Sequence, residues 1–305
     1  MSPSRRRLGV ALLLDPPVRD QVDGLRRALG DESLGRIPSH LTLVPPVNVR
    51  TGDLGAALRR LRAAAGVLPG SLHLTLGPPA TFLPDNPVLY LDVGGDVERL
   101  RRLRDAVFAP PLERPLTWPW VPHVTLADST TPERIAAALT ALDRFAVVTR
   151  LERVVLLEEG PGRIWTPLAD TDLGPAAVVS RGGLALEITR SRIIDPEVHA
   201  MLAKGPDGVA APAAHVPPMG GPIILTARRE MQVTGVAAAW TRPDGTHVAV
   251  YVPREYRGQG IGSHLLAHLE AAVRQARWDS PSLQAEGPAG FYRVRSSWSI
   301  PVAGA

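Results

Sequence analysis

The chain contains no cysteine, so it can form neither a disulfide framework nor a thiolate metal site. This absence removes any need for an oxidising compartment. No apolar run approaches the about 20 residues of a membrane-spanning helix. The run 8–14 follows three arginines, but it ends at Asp15-Pro16-Pro17 and no small-residue cleavage site follows. We therefore expect a buried first strand there, a cytoplasmic protein and no membrane partner.

Lysine is nearly absent as well. Lys204 is the single lysine among 34 basic residues, and the net charge is only +4. Such a small excess is compatible with anionic ligands without requiring them, and we expect 101–104, Arg-Arg-Leu-Arg, to be a solvated helix face. With 305 residues, 45% apolar and 21% charged, the composition predicts a globular chain of two domains.

The first half repeats one order of elements, namely strand, helix, His-x-Thr strand, helix and strand. The first copy is predicted at 8–14, 18–29, 40–43, 54–65 and 72–76, and the second at 88–93, 97–107, 123–126, 130–142 and 154–157. We predict that Asp96 caps the third helix and that Thr130, with Glu133 and Pro132, begins the fourth. Two such copies predict an α+β domain with pseudo-twofold symmetry.

Each copy carries one His-x-Thr motif on its short central strand. Alternate residues of a strand share a face, so His40 and Thr42 point one way, and His123 and Thr125 do likewise. The intervening residues are predicted to face the core: Leu41, Leu43, Val124 and Leu126. A similar motif at His73 lies in the third strand of its copy, and its counterpart near Arg153 has none. We therefore predict no catalytic role for His73.

Two histidines and two threonines in one cleft suit phosphodiester chemistry without a metal. A neutral imidazole can take a proton from water or a ribose hydroxyl, while a protonated one donates to the leaving oxygen. Because histidine titrates near pH 6.5, one copy can be neutral and the other protonated near neutral pH. The threonine hydroxyls can donate to the phosphoryl oxygens.

Ser39-His40-Leu41-Thr42-Leu43 and Pro122-His123-Val124-Thr125-Leu126 resemble the two signatures of the 2H phosphoesterase superfamily, which includes 2′-5′ RNA ligase and cyclic phosphodiesterase proteins. The resemblance covers about 5–173 and implies a bilobal fold that acts on 2′,3′-cyclic phosphates or 2′-5′ linkages. It makes His40 and His123 the acid–base pair, and Thr42 and Thr125 the phosphate ligands. The partner would be RNA or a cyclic nucleotide. Trp118 and Trp120 could stack on a base, with packing the alternative.

A boundary is predicted at 174–183, where glycine and proline accumulate, between domains at 1–173 and 184–305. Beyond it, strands are predicted at 184–188, 223–227, 233–240 and 248–252, with a short helix to about 202 and a hairpin turn at Asp244-Gly245. The stretch 204–222 lacks periodicity and is predicted to be a mobile loop.

After strand 248–252, the sequence Arg257-Gly258-Gln259-Gly260-Ile261-Gly262 opens an amphipathic helix. Glycines let a ligand approach the backbone, and the amides of a helix start favour an anion such as pyrophosphate. The segment 252–262 resembles the coenzyme A loop of GCN5-related N-acetyltransferases (GNAT), over about 184–298. That resemblance implies a mixed sheet with flanking helices, in which the backbone of Val252 and the loop Arg257 to Gly262 hold acetyl-CoA.

Gly290-Phe291-Tyr292-Arg293 resembles the late Phe-Tyr motif of that family, which makes Tyr292 the general acid towards the departing thiolate, although Ser296-Ser297-Trp298 replaces the usual Gly-Phe. His247 and Glu230 are candidate bases by position only. His264 and His268 have i, i+4 spacing, but we expect a solvated face and no metal.

The sequence thus predicts a bifunctional enzyme, an acetyl-CoA-dependent N-acetyltransferase joined to a metal-independent phosphodiesterase. Two alternatives stay open: an acetyltransferase whose first domain is degenerate and binds only a nucleotide or RNA end, and a sensor that binds acetyl-CoA. The amine acceptor and the oligomeric state are not encoded in these motifs.

Overall fold

The computed structural model describes residues 4–181, 184–202, 222–242, 245–276, 278 and 283–286. The chain divides into two compact units, Met1–Pro175 and Ala176–Ala305. We describe each by itself. Within the predicted boundary at 174–183, residues Ala177–Arg181 form a strand of the second unit.

The described part of the first unit combines eight strands with four α-helices. The strands are β1 (Arg5–Leu13), β2 (His40–Arg50), β3 (Leu72–Thr81), β4 (Leu89–Gly95), β5 (His123–Ala127), β6 (Val147–Leu151), β7 (Arg153–Glu159) and β8 (Trp165–Asp172). The helices are α1 (Val18–Ala28), α2 (Leu54–Ala65), α3 (Val97–Val107) and α4 (Pro132–Ala141). This order contains the predicted repeat, with β6 and β8 as additional strands.

The eight strands form one sheet in the order β6-β3-β4-β5-β2-β1-β7-β8. Its centre is the pair β2 and β5, and the two copies of the repeat extend outward from that pair. The third strand of each copy crosses over: β3 pairs with β4 of the second copy, and β7 pairs with β1 of the first. The two halves are therefore intertwined, and neither copy completes its half of the sheet alone.

One face of this sheet carries the main core, in which the four helices take part. Alternating positions of the strands supply it, including Leu8, Leu12, Leu41, Leu74 and Val124, all essentially inaccessible to solvent. Burying such side chains contributes roughly 1.5–3 kcal/mol each. The opposite face of the sheet carries the His-x-Thr side chains.

Two predicted helix caps differ from the structure. Asp96 precedes α3, but its carboxylate accepts from the His73 N–H (3.0 Å) and from Arg99 (2.8 Å), not from an amide of the helix. Asp96 therefore occupies the predicted N-cap position, but its carboxylate bonds to the start of β3 and to Arg99 instead of capping the helix. At α4 the cap is Thr131 and not Thr130, since Thr131 Oγ1 accepts from the Arg134 N–H at 3.3 Å.

In the described residues of the second unit, six strands form one mixed sheet. Its strands are β9 (Ala177–Arg181), β10 (Leu184–Ser191), β11 (Ile223–Arg229), β12 (Gln232–Arg242), β13 (Gly245–Tyr251) and β14 (Leu283–Glu286), and its helices are α5 (Pro196–Leu202) and α6 (Ile261–Gln275). The order is β14-β13-β12-β11-β10-β9, antiparallel except for the parallel pair β13 and β14. The predicted turn at 244 and loop 204–222 fall largely outside the described residues.

The apolar stripe of α6 packs against β11 and β12. Leu265, Leu266 and Leu269 of the helix are fully buried with Leu225 and Ala237 of the strands. This packing fixes the start of α6 at the end of β13. Among the described residues, no helix is both long and apolar enough to span a bilayer.

Candidate functional site

The two His-x-Thr motifs lie side by side at the centre of the eight-stranded sheet. β2 and β5 run antiparallel, and Leu41 is paired with Val124. Extending this register by one residue in each direction places His40 opposite Thr125, and Thr42 opposite His123. The convergence expected from the repeat is therefore present in the structure.

The side chains of both motifs alternate between the two faces as the sequence predicts. Leu41, Leu43, Val124 and Leu126 are fully buried in the core. The histidines and threonines are half-buried on the other face. No group in the described part of the chain hydrogen-bonds to the hydroxyl of Thr42 or Thr125, so both hydroxyls can donate to a ligand.

Both imidazoles make the same hydrogen bond. Nδ1 of His40 lies 2.7 Å from the Pro38 carbonyl oxygen, and Nδ1 of His123 lies 2.8 Å from the Val121 carbonyl oxygen. Because a carbonyl oxygen can only accept, Nδ1 carries the proton in each ring. Nε2 of each neutral ring is then left with a free lone pair, the state that a proton acceptor needs.

Burial keeps both rings neutral near pH 7. Desolvation lowers the pKa of His40 to about 4, helped by the positive charge of Arg26, while the Pro38 carbonyl and Asp31 act in the opposite direction. Desolvation also lowers the pKa of His123, against the effect of the Val121 carbonyl. The lowered pKa values favour the neutral form of both rings in the free protein, which differs from the expectation that one of them is protonated.

An aromatic group lines the cleft beside His123. The rings of Phe82 and Tyr90 stack at 4.2 Å, and each meets the His123 ring edge-on, at 5.1 and 5.3 Å. Tyr90 and Asp92 of β4 are paired with Thr125 and His123 of β5, so they share the site face. Burial and the nearby Asp92 carboxylate raise the pKa of Tyr90. None of these residues was predicted as part of the site; the alternation of β4 indicates Tyr90 and Asp92, whereas Phe82 follows β3.

A second apolar group lies next to the first motif on the same face of the sheet. Leu13 and Ala11 of β1 are paired with His40 and Thr42. They cluster with Ile37 and Trp165, apart from the main core. The indole of Trp165 lies over Gly9, where a Cβ atom would come within 3.4 Å of the ring. Trp165 joins this group through the pairing of β8 with β7, which the sequence did not predict.

The two tryptophans before the second motif differ in environment. Trp120 donates its indole N–H to the Thr42 carbonyl oxygen at 2.9 Å, so it supports the backbone of β2. Trp118 is 61% exposed and is the one of the two that a base could reach. His73 lies beside Asp96 at the other end of β4, with its side chain 63% exposed, and so it does not join the His40–His123 pair.

In the second unit, the glycine-rich loop connects the end of β13 to α6. Arg257 Nε donates to the Val252 carbonyl oxygen at 2.9 Å, and the Gln259 amide donates to the Glu255 carbonyl oxygen at 3.3 Å. These bonds hold the loop in one conformation. The Tyr256 hydroxyl donates to Gln232 at 2.9 Å, which ties the loop to the start of β12.

The backbone of this loop suits an anionic ligand. Gly258 and Gly260 have φ of 79° and 82°, a region in which glycine is strongly favoured. No side chain caps α6, and its first helical bond runs from the His264 N–H to the Gly260 carbonyl oxygen. The amides of Ile261, Gly262 and Ser263 therefore have no partner within the helix, as at anion-binding helix starts.

The structure says little about the other catalytic and metal-binding candidates of the second unit. Tyr292 lies outside the described residues, and so does the side chain of His247. Glu230 is exposed in the turn between β11 and β12. Within the described ranges, no three His, Asp or Glu side chains gather as a metal site would require, and this includes the surroundings of His264 and His268.

A family model matches part of each unit. Residues 14–163 match the model of the 2′-5′ RNA ligase superfamily, and residues 221–294 match that of the acetyltransferase (GNAT) domain. Both are enzyme families. Proteins of Staphylococcus aureus strains Newman and JH1, described provisionally as phosphoesterases, are 28% identical over 153 residues, which is 47% of this chain and 86% of theirs.

Solved structures also align with the first unit. Escherichia coli LigT complexed with 3′-AMP is 20% identical and covers 56% of this chain and 99% of its own, with a TM-score of 0.38. A Thermus thermophilus protein is 21% identical, and the alignment covers 55% of this chain and 97% of that protein, with a TM-score of 0.36.

Proposed function

Because residues 14–163 form a 2′-5′ RNA ligase superfamily domain and residues 221–294 form a GNAT domain, we propose that this chain is a bifunctional enzyme. The first domain cleaves 2′,3′-cyclic phosphates or 2′-5′ linkages without a metal. The second transfers an acetyl group from acetyl-CoA to an amine. We propose a cytoplasmic location for both activities.

The observation that carries the first activity is the pairing of Leu41 with Val124, which brings both motifs into one cleft. In the proposed mechanism, Nε2 of one neutral histidine takes a proton from the attacking water or hydroxyl. The other histidine, once protonated, donates to the leaving ribose oxygen. Thr42 and Thr125 donate hydrogen bonds to the non-bridging oxygens as negative charge develops there.

Since both rings are neutral in the free protein, the acid must acquire its proton when substrate binds. A phosphodiester anion between the two rings favours the charged imidazolium and raises its pKa. The aromatic groups at Phe82 and Tyr90 on one side, and Trp165 on the other, suit a substrate that carries nucleobases. A nucleotide with a cyclic or internal phosphodiester meets both requirements.

Support for the second activity comes from the loop between β13 and α6. The uncapped start of α6 and the positive φ angles of Gly258 and Gly260 fit the pyrophosphate of coenzyme A. Val252, Arg257, Gln259, Ile261 and Gly262 complete the proposed cofactor site. Acetyl-CoA supplies the acetyl group as a thioester, and we propose Tyr292 as the proton donor to its thiolate.

The test is to incubate the full chain, in the presence of EDTA, with the four 2′,3′-cyclic nucleotides and with 2′-5′-linked dinucleotides. We expect hydrolysis of at least one. Failure by well-folded protein would favour the degenerate first domain. In parallel, release of free thiol from acetyl-CoA with a panel of amines distinguishes an acetyltransferase from an acetyl-CoA sensor, which would bind the compound without turnover.

A further inference from the structure

A buried arginine lies behind His40. Arg26 of α1 is only 3% exposed, and its Nε donates to the Asp31 carboxylate at 2.7 Å. Burying a guanidinium is costly unless its charge is paired and its N–H groups are bonded. The carboxylate and the hydrogen-bond acceptors of Arg26 all lie in the segment between α1 and the first His-x-Thr motif.

The other nitrogens of Arg26 hold the segment that leads into β2. Nη1 donates to the Ile37 carbonyl oxygen at 3.2 Å and to Ser39 Oγ at 3.0 Å. Nη2 donates to Ser33 Oγ at 3.1 Å. The Ser39 hydroxyl in turn donates to the Asp23 carboxylate of α1. One planar guanidinium thus fixes both residues that flank Pro38.

Pro38 is the residue whose carbonyl oxygen accepts from Nδ1 of His40. Its orientation depends on the peptide units on either side, and Arg26 bonds to the carbonyl of Ile37 before it and the hydroxyl of Ser39 after it. A shift of that segment would turn the carbonyl away from the imidazole. The ring could then exchange its proton between Nδ1 and Nε2.

The second copy of the repeat lacks this support in the described part of the chain. His123 makes the equivalent bond to Val121, but no guanidinium or carboxylate bonds to Val121, Pro122 or His123 there. Val121 is itself exposed. Because the same strand and motif form in the second copy without such a network, the fold of a His-x-Thr strand does not require it.

We propose that Arg26 is a positioning residue for His40, which holds Ile37 to Ser39 so that the Pro38 carbonyl keeps the imidazole in its Nδ1–H tautomer with Nε2 free to accept a proton. This rests on the proposed acid–base role of His40. The charged and titratable groups around that ring are Arg26 and Asp23 of α1, Asp31 after the helix, and His123 of β5.

The test uses the full chain labelled with ¹⁵N-histidine and long-range ¹H–¹⁵N spectra at pH 7, with His40→Asn to identify the signals. Arg26→Lys keeps the charge but replaces the planar guanidinium by one ammonium, whose donors cannot occupy the separate positions of Nε, Nη1 and Nη2. We expect His40 in the variant to exchange between tautomers while His123 stays as in the wild type. Arg153→Lys, at an arginine that pairs with Asp15 and Asp170, should change neither ring.

An unchanged His40 tautomer in folded Arg26→Lys would overturn the proposal. If that variant does not fold, Ser39→Ala decides, because it removes one contact of Arg26 with little change in packing. Ser39→Ala should also increase the exchange of His40 between its two tautomers. An unchanged His40 tautomer in this variant would likewise overturn the proposal. The spectra need no substrate. If the first domain hydrolysed nothing, the proposed activity would be refuted, but the role of Arg26 in holding the His40 tautomer would still be decided by the spectra.

Where hydrolysis is measurable, Arg26→Lys should lower kcat roughly 10- to 100-fold with little change in KM, as expected for a misplaced catalytic group. Arg26→Met also removes the positive charge, which raises the pKa of His40 relative to the wild type. A loss confined to KM would contradict positioning.

Discussion

Leu41 of β2 and Val124 of β5 lie opposite one another at the centre of the sheet, and both are fully buried. They mark the local twofold centre of the repeat. Each is flanked by the histidine and threonine of its own motif, so the pair presents two imidazoles and two hydroxyls on the opposite face. Core packing on one side of two strands thereby places the chemistry on the other.

We expect Thr42→Val and Thr125→Val each to lower kcat for phosphodiester hydrolysis about 100-fold, because each removes a donor to the charge that develops in the transition state. Neither hydroxyl has a partner in the described part of the chain, so stability should change by less than about 0.5 kcal/mol. Thr75→Val, in the similar motif at His73, is the matched control and should keep full activity. Equal activity of all three variants would remove the threonines from the mechanism.

The free energy of unfolding should fall as the pH is lowered from 6.5 towards 4. The folded-state pKa of His40 is lowered to about 4, so the unfolded chain binds the extra proton in that range and is favoured. From pH 7 to 4.5 the loss from this residue is about 2–3 kcal/mol. Urea titrations of the wild type and His40→Gln at both pH values measure it, since other contributions cancel in the difference. A pH dependence that is identical in the two proteins would contradict the lowered pKa.

Gly260→Ala should weaken acetyl-CoA binding, measured by calorimetry on the full chain. An alanine at φ of 82° costs about 1–2 kcal/mol, so the loop would leave the conformation that presents its amides. Ala267→Gly, at an exposed position of the same helix, costs about 1 kcal/mol of helix propensity and should leave the affinity unchanged. If both variants bind alike, the loop is not the cofactor site.

The local elements of the first unit followed from the sequence. Hydrophobic periodicity predicted α2 at 54–65 and α3 at 97–107, as observed, and the alternation around His40 and His123 predicted which side chains face the core. The repeat predicted that the two motifs would meet. These features depend on interactions within a few residues, which a single sequence displays directly.

The crossing of β3 and β7 into opposite halves of the sheet could not be predicted from the sequence. Which distant strands pair depends on packing across the whole sheet, which local patterns do not show. The edge strand β6 was missed since Val147–Leu151 alternates polar and apolar residues only briefly. Arg26 could have been found: it falls on the apolar stripe of α1 with Val18 and Val22, and a charge at that position implies a buried partner.

Two-histidine catalysis is tested most directly by comparing the hydrolysis of 2′,3′-cyclic nucleotides in EDTA by the wild type, His123→Ala and His73→Ala. His73 lies in the same sheet and also belongs to a His-x-Thr motif, but it lies beside Asp96 and away from His40 and His123. We expect hydrolysis by the wild type and by His73→Ala, and a loss of at least about 100-fold in His123→Ala. Full activity of folded His123→Ala would contradict two-histidine catalysis.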